Sequence, residues 1–325
     1  MSNNLRGLLS GQTISRVIAL GFFALLAWYG YNNQELFDGF SEVSIFTILG
    51  VSALMFVGTV ISGLFTKVTS EVFVDRIPLR ETVYIAIISA VGNYIGPIVG
   101  GASIRAVHLK KLYKLPYAKF ASTIAGYYLI VFLANSAIAL VSLYYLERSD
   151  QSAGLFLFFG AWFVAFLWMM VIRLPRRSRF DWVKPKVGRF VIDVLYDIET
   201  GWRRIASNGA LLVKLLGLAA SAFITNFVIA YVEFTAIGVS PSLASIGLYT
   251  SVVMVATLLN LTPGALGVRE ALLVVVAASL GVSVEEILQV SILDRAIGFV
   301  FLAVSYAVVK IPAVRKKMSP KGSVF

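Results

Sequence analysis

Apolar runs dominate the chain and set its layout, at about 17–31, 43–65, 82–98, 119–146, 153–172, 211–238, 243–261, 271–280 and 287–311. At about 1.5 Å rise per residue, the runs near twenty residues predict helices able to cross the roughly 30 Å hydrocarbon core of a bilayer. Two regions interrupt that regularity. Asn93-Tyr94-Ile95-Gly96-Pro97 followed by Gly100-Gly101, and Asn260-Leu261-Thr262-Pro263-Gly264 followed by Gly267, deprive a helix of backbone hydrogen bonds. Such breaks persist at membrane depth only where protein or a watery cavity satisfies the freed groups. Residues 187–205 differ again, with Val187, Val191, Val194, Leu195, Ile198, Trp202 and Ile205 on one helical stripe. That stripe predicts an amphipathic helix lying on a membrane leaflet.

Composition agrees: 58% of the 325 residues are apolar and only 14% charged, against about 25% charged in soluble domains. The prediction is an all-α polytopic membrane protein, a single integral membrane domain over 1–325. Its net charge of +11 does not point to nucleic acid, because the bases are scattered between apolar runs. No cysteine is present, which excludes disulfides and thiolate chemistry, and His108 is the one histidine, so no metal site and no cofactor are expected.

Of 28 Lys and Arg, 25 fall before residue 17 or in 66–81, 103–119, 173–214 and 310–325, while the 32–42 segment carries Glu35, Asp38 and Glu42 and no base. The positive-inside bias makes the basic segments cytoplasmic, with both termini on that side of the cell membrane and a retained first span. Residues 81–117 then begin and end in the cytoplasm, and 242–284 begin and end outside, as two broken hairpins. The short apolar arms favour re-entrant hairpins over double crossings, giving six full spans plus two hairpins.

Adding 167 to first-half positions maps Asn93 onto Asn260, Gly100 onto Gly267, Ile130 onto Ile297 and Phe132 onto Phe299. Each unit, 43–146 and 210–311, reads span, broken hairpin, span, with opposite sidedness. That predicts two inverted-topology repeats, the build of many carriers.

The chemistry-bearing residues concentrate at the breaks. In 262–271, TPGALGVREA, Pro263 and Gly264 stop one helix, Gly267 permits a turn, and Arg269-Glu270 open the next helix. A half-helix N-terminus beside Arg269 suits a phosphate or carboxylate, with Glu270 balancing Arg269 when no ligand is bound. Asp294-Arg295 lie near the middle of the last span, where charges are costly and need a partner or a cavity, so they are expected near Arg269 and Glu270. A closed salt-bridge cluster is the structural alternative for these four. Glu233, near the end of its span, is expected to snorkel to the interface, and His108 to pack there. The first hairpin offers Pro97, Gly100 and Arg105 as the counterparts, while Lys110, Lys111 and Lys114 are placed for anionic head groups at the interface as well as marking the cytoplasmic side. No nucleotide loop, paired catalytic carboxylates, Asp-x-Asp motif or Ser-His pair is present, so no enzyme is predicted.

TPGALGVREA, Gly281-Val282 and Arg295, together with NYIGPIVGGASIRAVHLKK (93–111), resemble the transmembrane domain of the lysylphosphatidylglycerol synthase/flippase family, most strongly over 93–135 and 258–305. The resemblance implies translocation of lipids between leaflets. It carries Pro263, Gly264, Gly267, Arg269, Glu270 and Arg295, with Pro97, Gly100 and Arg105, as site residues. Aminoacyl transfer belongs to a separate soluble domain in that family, and no such domain is expected in this chain. Two departures stand out: Ala102-Ser103 and Gly126-Tyr127-Tyr128 occupy positions where family members often carry acidic residues. The expected activity is flippase-like transport of a phosphate-bearing phospholipid or polyprenyl-phosphate lipid through a groove between the hairpins, gradient-coupled or downhill, with anionic membrane lipids as partners. The alternatives are a secondary transporter of a small soluble anion, or a structural or partner-binding membrane protein. Oligomeric state is not legible.

Overall fold

The computed structural model describes residues 43–95, 100–146, 150–171, 173, 186–259 and 262–311, and among them every regular element is helical. The expected first span at 17–31, both termini and Pro97 lie outside the described residues. Ten helices follow one another: α1 (Ile45–Ser70), α2 (Leu79–Ile95), α3 (Gly100–Tyr113), α4 (Tyr117–Tyr145), α5 (Asp150–Val171), α6 (Lys186–Ala206), α7 (Gly209–Ala236), α8 (Leu243–Leu259), α9 (Val268–Leu280) and α10 (Val284–Lys310). Five of them, α1, α4, α5, α7 and α10, are long and apolar enough to cross a membrane.

Local sequence explains the helix starts. The Ser44 hydroxyl accepts from Phe46 N at 3.2 Å at the head of α1, and Asn208 Oδ1 accepts from Leu211 N at 3.1 Å at the head of α7. Before α10, Ser283 and Glu286 cap reciprocally: Glu286 N donates to Ser283 Oγ at 3.1 Å and Ser283 N to Glu286 Oε2 at 2.7 Å. Each cap satisfies amides that the first helical turn leaves without partners.

The broken regions form antiparallel pairs, α2 with α3 and α8 with α9. Their arms, of 17, 14, 17 and 13 residues, extend about 20 to 26 Å, shorter than the roughly 30 Å hydrocarbon core. Packing between the halves is reciprocal. The long helices α1 and α7 lie against each other, α2 packs on α10, and α8 packs on α4. Asn135 of α4 fastens the last of these by donating from Nδ2 to the Ser251 carbonyl of α8 at 3.0 Å.

The amphipathic helix α6 packs on α4. At its C-terminal end Ile205 is fully buried and Trp202 donates from Nε1 to the Met170 carbonyl of α5 at 2.8 Å, while Leu195 is exposed. A methyl group on Gly201 would lie 1.7 Å from the Ser122 carbonyl oxygen, so the two backbones touch. Protein thus covers the Trp202–Ile205 end of the stripe, because a hydrophobic stripe does not distinguish a helix from a leaflet as its partner. Gly201→Val is expected to force α6 off α4 and cost about 1–3 kcal/mol. Thermal unfolding in detergent and protease sensitivity of the 173–208 segment measure it; an unchanged melting temperature and cleavage pattern would show that this contact does not hold α6.

Candidate functional site

The second break is the best-defined irregular backbone. Gly264 and Ala265 both adopt left-handed conformations, at φ 61° and 54°, and Gly267 has φ 79°. The turn is closed internally by Ala265 N donating to the Thr262 carbonyl at 2.8 Å and by the Thr262 hydroxyl donating to the Leu266 carbonyl at 2.6 Å. Tyr94, at the end of α2, sits so close over Gly264 that a side chain there would clash with its ring. The tips of the two hairpins therefore meet.

Arg295 of α10 binds this turn from the other side. Its Nη1 donates to the Gly264 carbonyl at 2.7 Å and its Nη2 to the Ala265 carbonyl at 3.4 Å, while Nε and Nη2 reach Glu270 Oε1 at 3.2 and 3.1 Å. Glu270 is occupied further, accepting from Ser291 Oγ at 2.9 Å and, through Oε2, from Gly267 N at 2.9 Å. Arg269 pairs with Asp294 and approaches the Tyr249 hydroxyl at 3.3 Å. The four charged residues thus form two cross-helix pairs, Arg269–Asp294 and Arg295–Glu270, so Glu270 pairs with Arg295 across the helices rather than with its neighbour Arg269 as expected.

A cavity of about 280 Å³ lies beside these pairs, between the two hairpins. Arg269, Asp294, Arg295 and Gly264 line it, along with Asn93 and Tyr94 of α2, Asn226 and Glu233 of α7, and Tyr249 of α8. Glu233 does not snorkel. It is 1% exposed, and its Oε1 has no hydrogen-bond partner. The sequence signal that would have found it is on α7 itself, where Asn226, Ile229, Ala230 and Glu233 share one face at helical spacing and all line this cavity. The expected distance to the helix end pointed the other way, because α10 covers the side chain.

Arg105 stands apart from the other arginines. It lines a second cavity of about 200 Å³ with Ser62, Ser89, Asn93, Gly101 and Tyr128. Its Nη2 donates to Ser62 Oγ at 3.2 Å, the guanidinium lies 5.7 Å from the Phe65 ring centroid, and Nε is buried without a partner. Among the described residues no carboxylate pairs with it. Ala90, Asn93 and Thr257 line both cavities, so the two adjoin. On its other side the Arg105 cavity meets an apolar groove of about 490 Å³ between α3 and α4, through the shared residues Ala102, Ile124 and Tyr128. Small side chains, Ala102, Ser103, Ala106, Ala121 and Ala125, keep that groove open.

The remaining expected residues fall outside these cavities. Gly100 begins α3 with its backbone against the Gly92 carbonyl of α2. Pro263 and Gly267 bound the second turn, and Lys110, Lys111 and Lys114 are exposed, Lys110 over the Tyr117 ring at 4.0 Å. His108 is not interfacial. It is fully buried, with Nε2 3.6 Å from the equally buried Glu81 carboxylate, which also accepts from the Tyr113 hydroxyl at 2.5 Å. This group joins the arms of the first hairpin at the end carrying the lysines.

Removing one partner of a buried ion pair strands the other charge. Arg295→Gln is expected to cost about 3–5 kcal/mol on that ground, and the double variant Arg295→Gln/Glu270→Gln less than the two single changes summed. Unfolding midpoints in detergent decide it, and strictly additive losses would mean that the pair does not act as a unit.

No curated protein or solved structure matches the chain. The family model described as lysylphosphatidylglycerol synthase TM region matches residues 13–305, a span that contains both hairpins, both cavities and the groove. With nine-tenths of its length so matched, this integral membrane protein belongs to the lysylphosphatidylglycerol synthase transmembrane-region family.

Proposed function

We propose that the protein is a flippase-like transporter that moves a phosphate-bearing lipid, of the phospholipid or polyprenyl-phosphate type, between leaflets. One observation carries the reading: an arginine without a carboxylate partner faces a polar cavity that opens into an apolar groove. An uncompensated guanidinium in an apolar surrounding is costly. A phosphate would relieve that cost while accepting paired hydrogen bonds. The adjoining groove suits the hydrocarbon of the same molecule, and that continuity favours a lipid over a soluble anion. Arg105 is therefore the head-group contact. Arg269, Glu270, Asp294 and Arg295 hold the second break together and border the path, and Lys110, Lys111 and Lys114 attract anionic lipids to the cytoplasmic mouth.

The same reading takes the halves 43–146 and 210–311 as inverted repeats with re-entrant hairpins and cytoplasmic termini. Helices of 26, 17, 14 and 29 residues in the first unit face 28, 17, 13 and 27 in the second. The exchange of partners, α2 on α10 and α8 on α4, is what a two-fold relation between units produces. The departures from the family pattern then acquire a meaning. Adding 167 places Ser103, Tyr127 and Tyr128 against Glu270, Asp294 and Arg295, so the first unit lacks the carboxylates that neutralise the arginines of the second. Its arginine is left for a ligand.

Purified protein in liposomes, loaded with tail-labelled phospholipid or polyprenyl phosphate, tests the reading by the rate at which label becomes accessible to an impermeant quencher. Arg105→Gln is expected to slow movement by about tenfold or more, since a hydrogen bond to a charged group is worth about 1.5–3 kcal/mol. Its melting temperature should hold, because no protein carboxylate is left unpaired. Ala106→Phe, which fills the groove, should slow movement as well. Full-rate lipid movement by Arg105→Gln, or transport of inorganic phosphate with no lipid movement, would overturn it.

A further inference from the structure

The cavity between the two hairpins, lined by Glu233, carries a charge imbalance that lipid binding at Arg105 does not explain. Arg269 is matched by Asp294 and Arg295 by Glu270, which leaves the Glu233 carboxyl without a countercharge. Facing Glu233 are the Tyr249 hydroxyl from α8, Arg269 from α9, and Asp294 and Arg295 from α10. The packed helices α1 and α2 present Met55, and Asn93 with Tyr94, but no charged group. Two carboxyls, Glu233 and Asp294, therefore share one guanidinium, Arg269, and Asp294 holds it by ion pairing. A second carboxylate at 1% exposure and without a partner on Oε1 is unstable as an anion. Neutralisation by a proton removes the cost and supplies an O–H donor in the cavity that Glu233 and Asp294 both line.

We propose that Glu233 is the proton-binding site that couples lipid movement to a proton gradient, one proton travelling with each singly charged anionic head group. The inference rests on the lipid reading of the Arg105 cavity and groove. Its logic is a charge count. With Glu233 ionised, the two ion pairs and Glu233 sum to one negative charge, and an anionic phosphate leaving Arg105 is repelled. With Glu233 protonated the sum is zero. The neighbouring cavity, lined by Arg269 and Arg295 and adjoining past Asn93 and Thr257, then presents no net repulsion to the anion. The carboxylate takes its proton from the side where the head group enters and returns it on the side where the head group leaves. Proton and lipid charge cancel, so transport is electroneutral.

The test uses the full chain in liposomes with a tail-labelled phospholipid of one negative charge. A pH difference of one unit is expected to drive a steady-state leaflet ratio of about tenfold, since one proton per lipid across one unit is worth about 1.4 kcal/mol. A membrane potential or a sodium gradient imposed alone should leave the ratio at one. Glu233→Gln should hold the ratio at one under the pH difference, and Glu233→Asp should restore part of the response. Infrared spectra of the wild-type protein should contain a carbonyl band of a protonated carboxylic acid that Glu233→Gln removes, a readout independent of transport. Lipid movement indifferent to the pH difference, a driven ratio retained in Glu233→Gln, a response to sodium or to potential alone, or a protonated-acid band that survives the substitution would each overturn the coupling. Absence of lipid movement under every condition would overturn the lipid reading itself, and the coupling with it.

Discussion

Everything around the second break depends on satisfying the backbone carbonyls that a stopped helix leaves without partners. Inside packed protein an acceptor left unpaired costs about 1–3 kcal/mol. Arg295 meets that demand with a planar fork of donors, reaching Gly264, Ala265 and Glu270 together. Once a guanidinium is committed there, a carboxylate must follow it, and Glu270 does so while also holding the Gly267 amide at the start of the next helix. The break, the charge pair and the helix start are one interlocked unit. It explains why strongly charged residues sit inside an apolar chain without implying that they grip a substrate.

From that unit the rest of the packing follows. Fixing Gly264 under the Tyr94 ring brings the hairpins tip to tip, and Tyr94 in turn lies against Phe299 of α10 at 5.1 Å. The space left between the tips, α7 and α8 is the Glu233 cavity; the space left between α1, α2, α3 and α4 is the Arg105 cavity. Dense interlocking on one side and small side chains on the other leave adjoining spaces with polar walls in the middle and apolar walls between α3 and α4.

Much of this architecture was legible in the sequence. Apolar runs delimit the five long helices to within a few residues, and Gly-Pro punctuation locates both interruptions. Grouping Arg269, Glu270, Asp294 and Arg295 was also legible, but the expected balance of Arg269 by Glu270 was not the pairing that forms, because adjacent residues on a helix point about 100° apart. Cross-pairing between α9 and α10 is the consequence. What sequence could not supply was which charges remain unmatched. That depends on tertiary neighbours: α10 and α8 covering Glu233, and Ser62 of α1 in place of an acid beside Arg105. The docking of the Trp202–Ile205 end of α6 on α4 and α5 was hidden for the same reason, since a stripe reports amphipathicity and not the identity of the covering surface. Likewise His108 looked interfacial only because its partner Glu81 is 27 positions away, on the other arm of the hairpin.

The two halves differ in how their charges are balanced. If the charged residues served only to close the fold, each half would be expected to balance its own. Instead one cavity carries an excess cation, Arg105, and its neighbour an excess acid, Glu233, with Asn93 and Thr257 between them. They do not pair with each other, although doing so would relieve both. Two opposite charges held in adjoining cavities, each short of a charged partner, are what the proposed anion and proton would neutralise. On that reading an anion meets its countercharge at Arg105 and a neutralised wall at Glu233, so one charge imbalance accounts for both cavities.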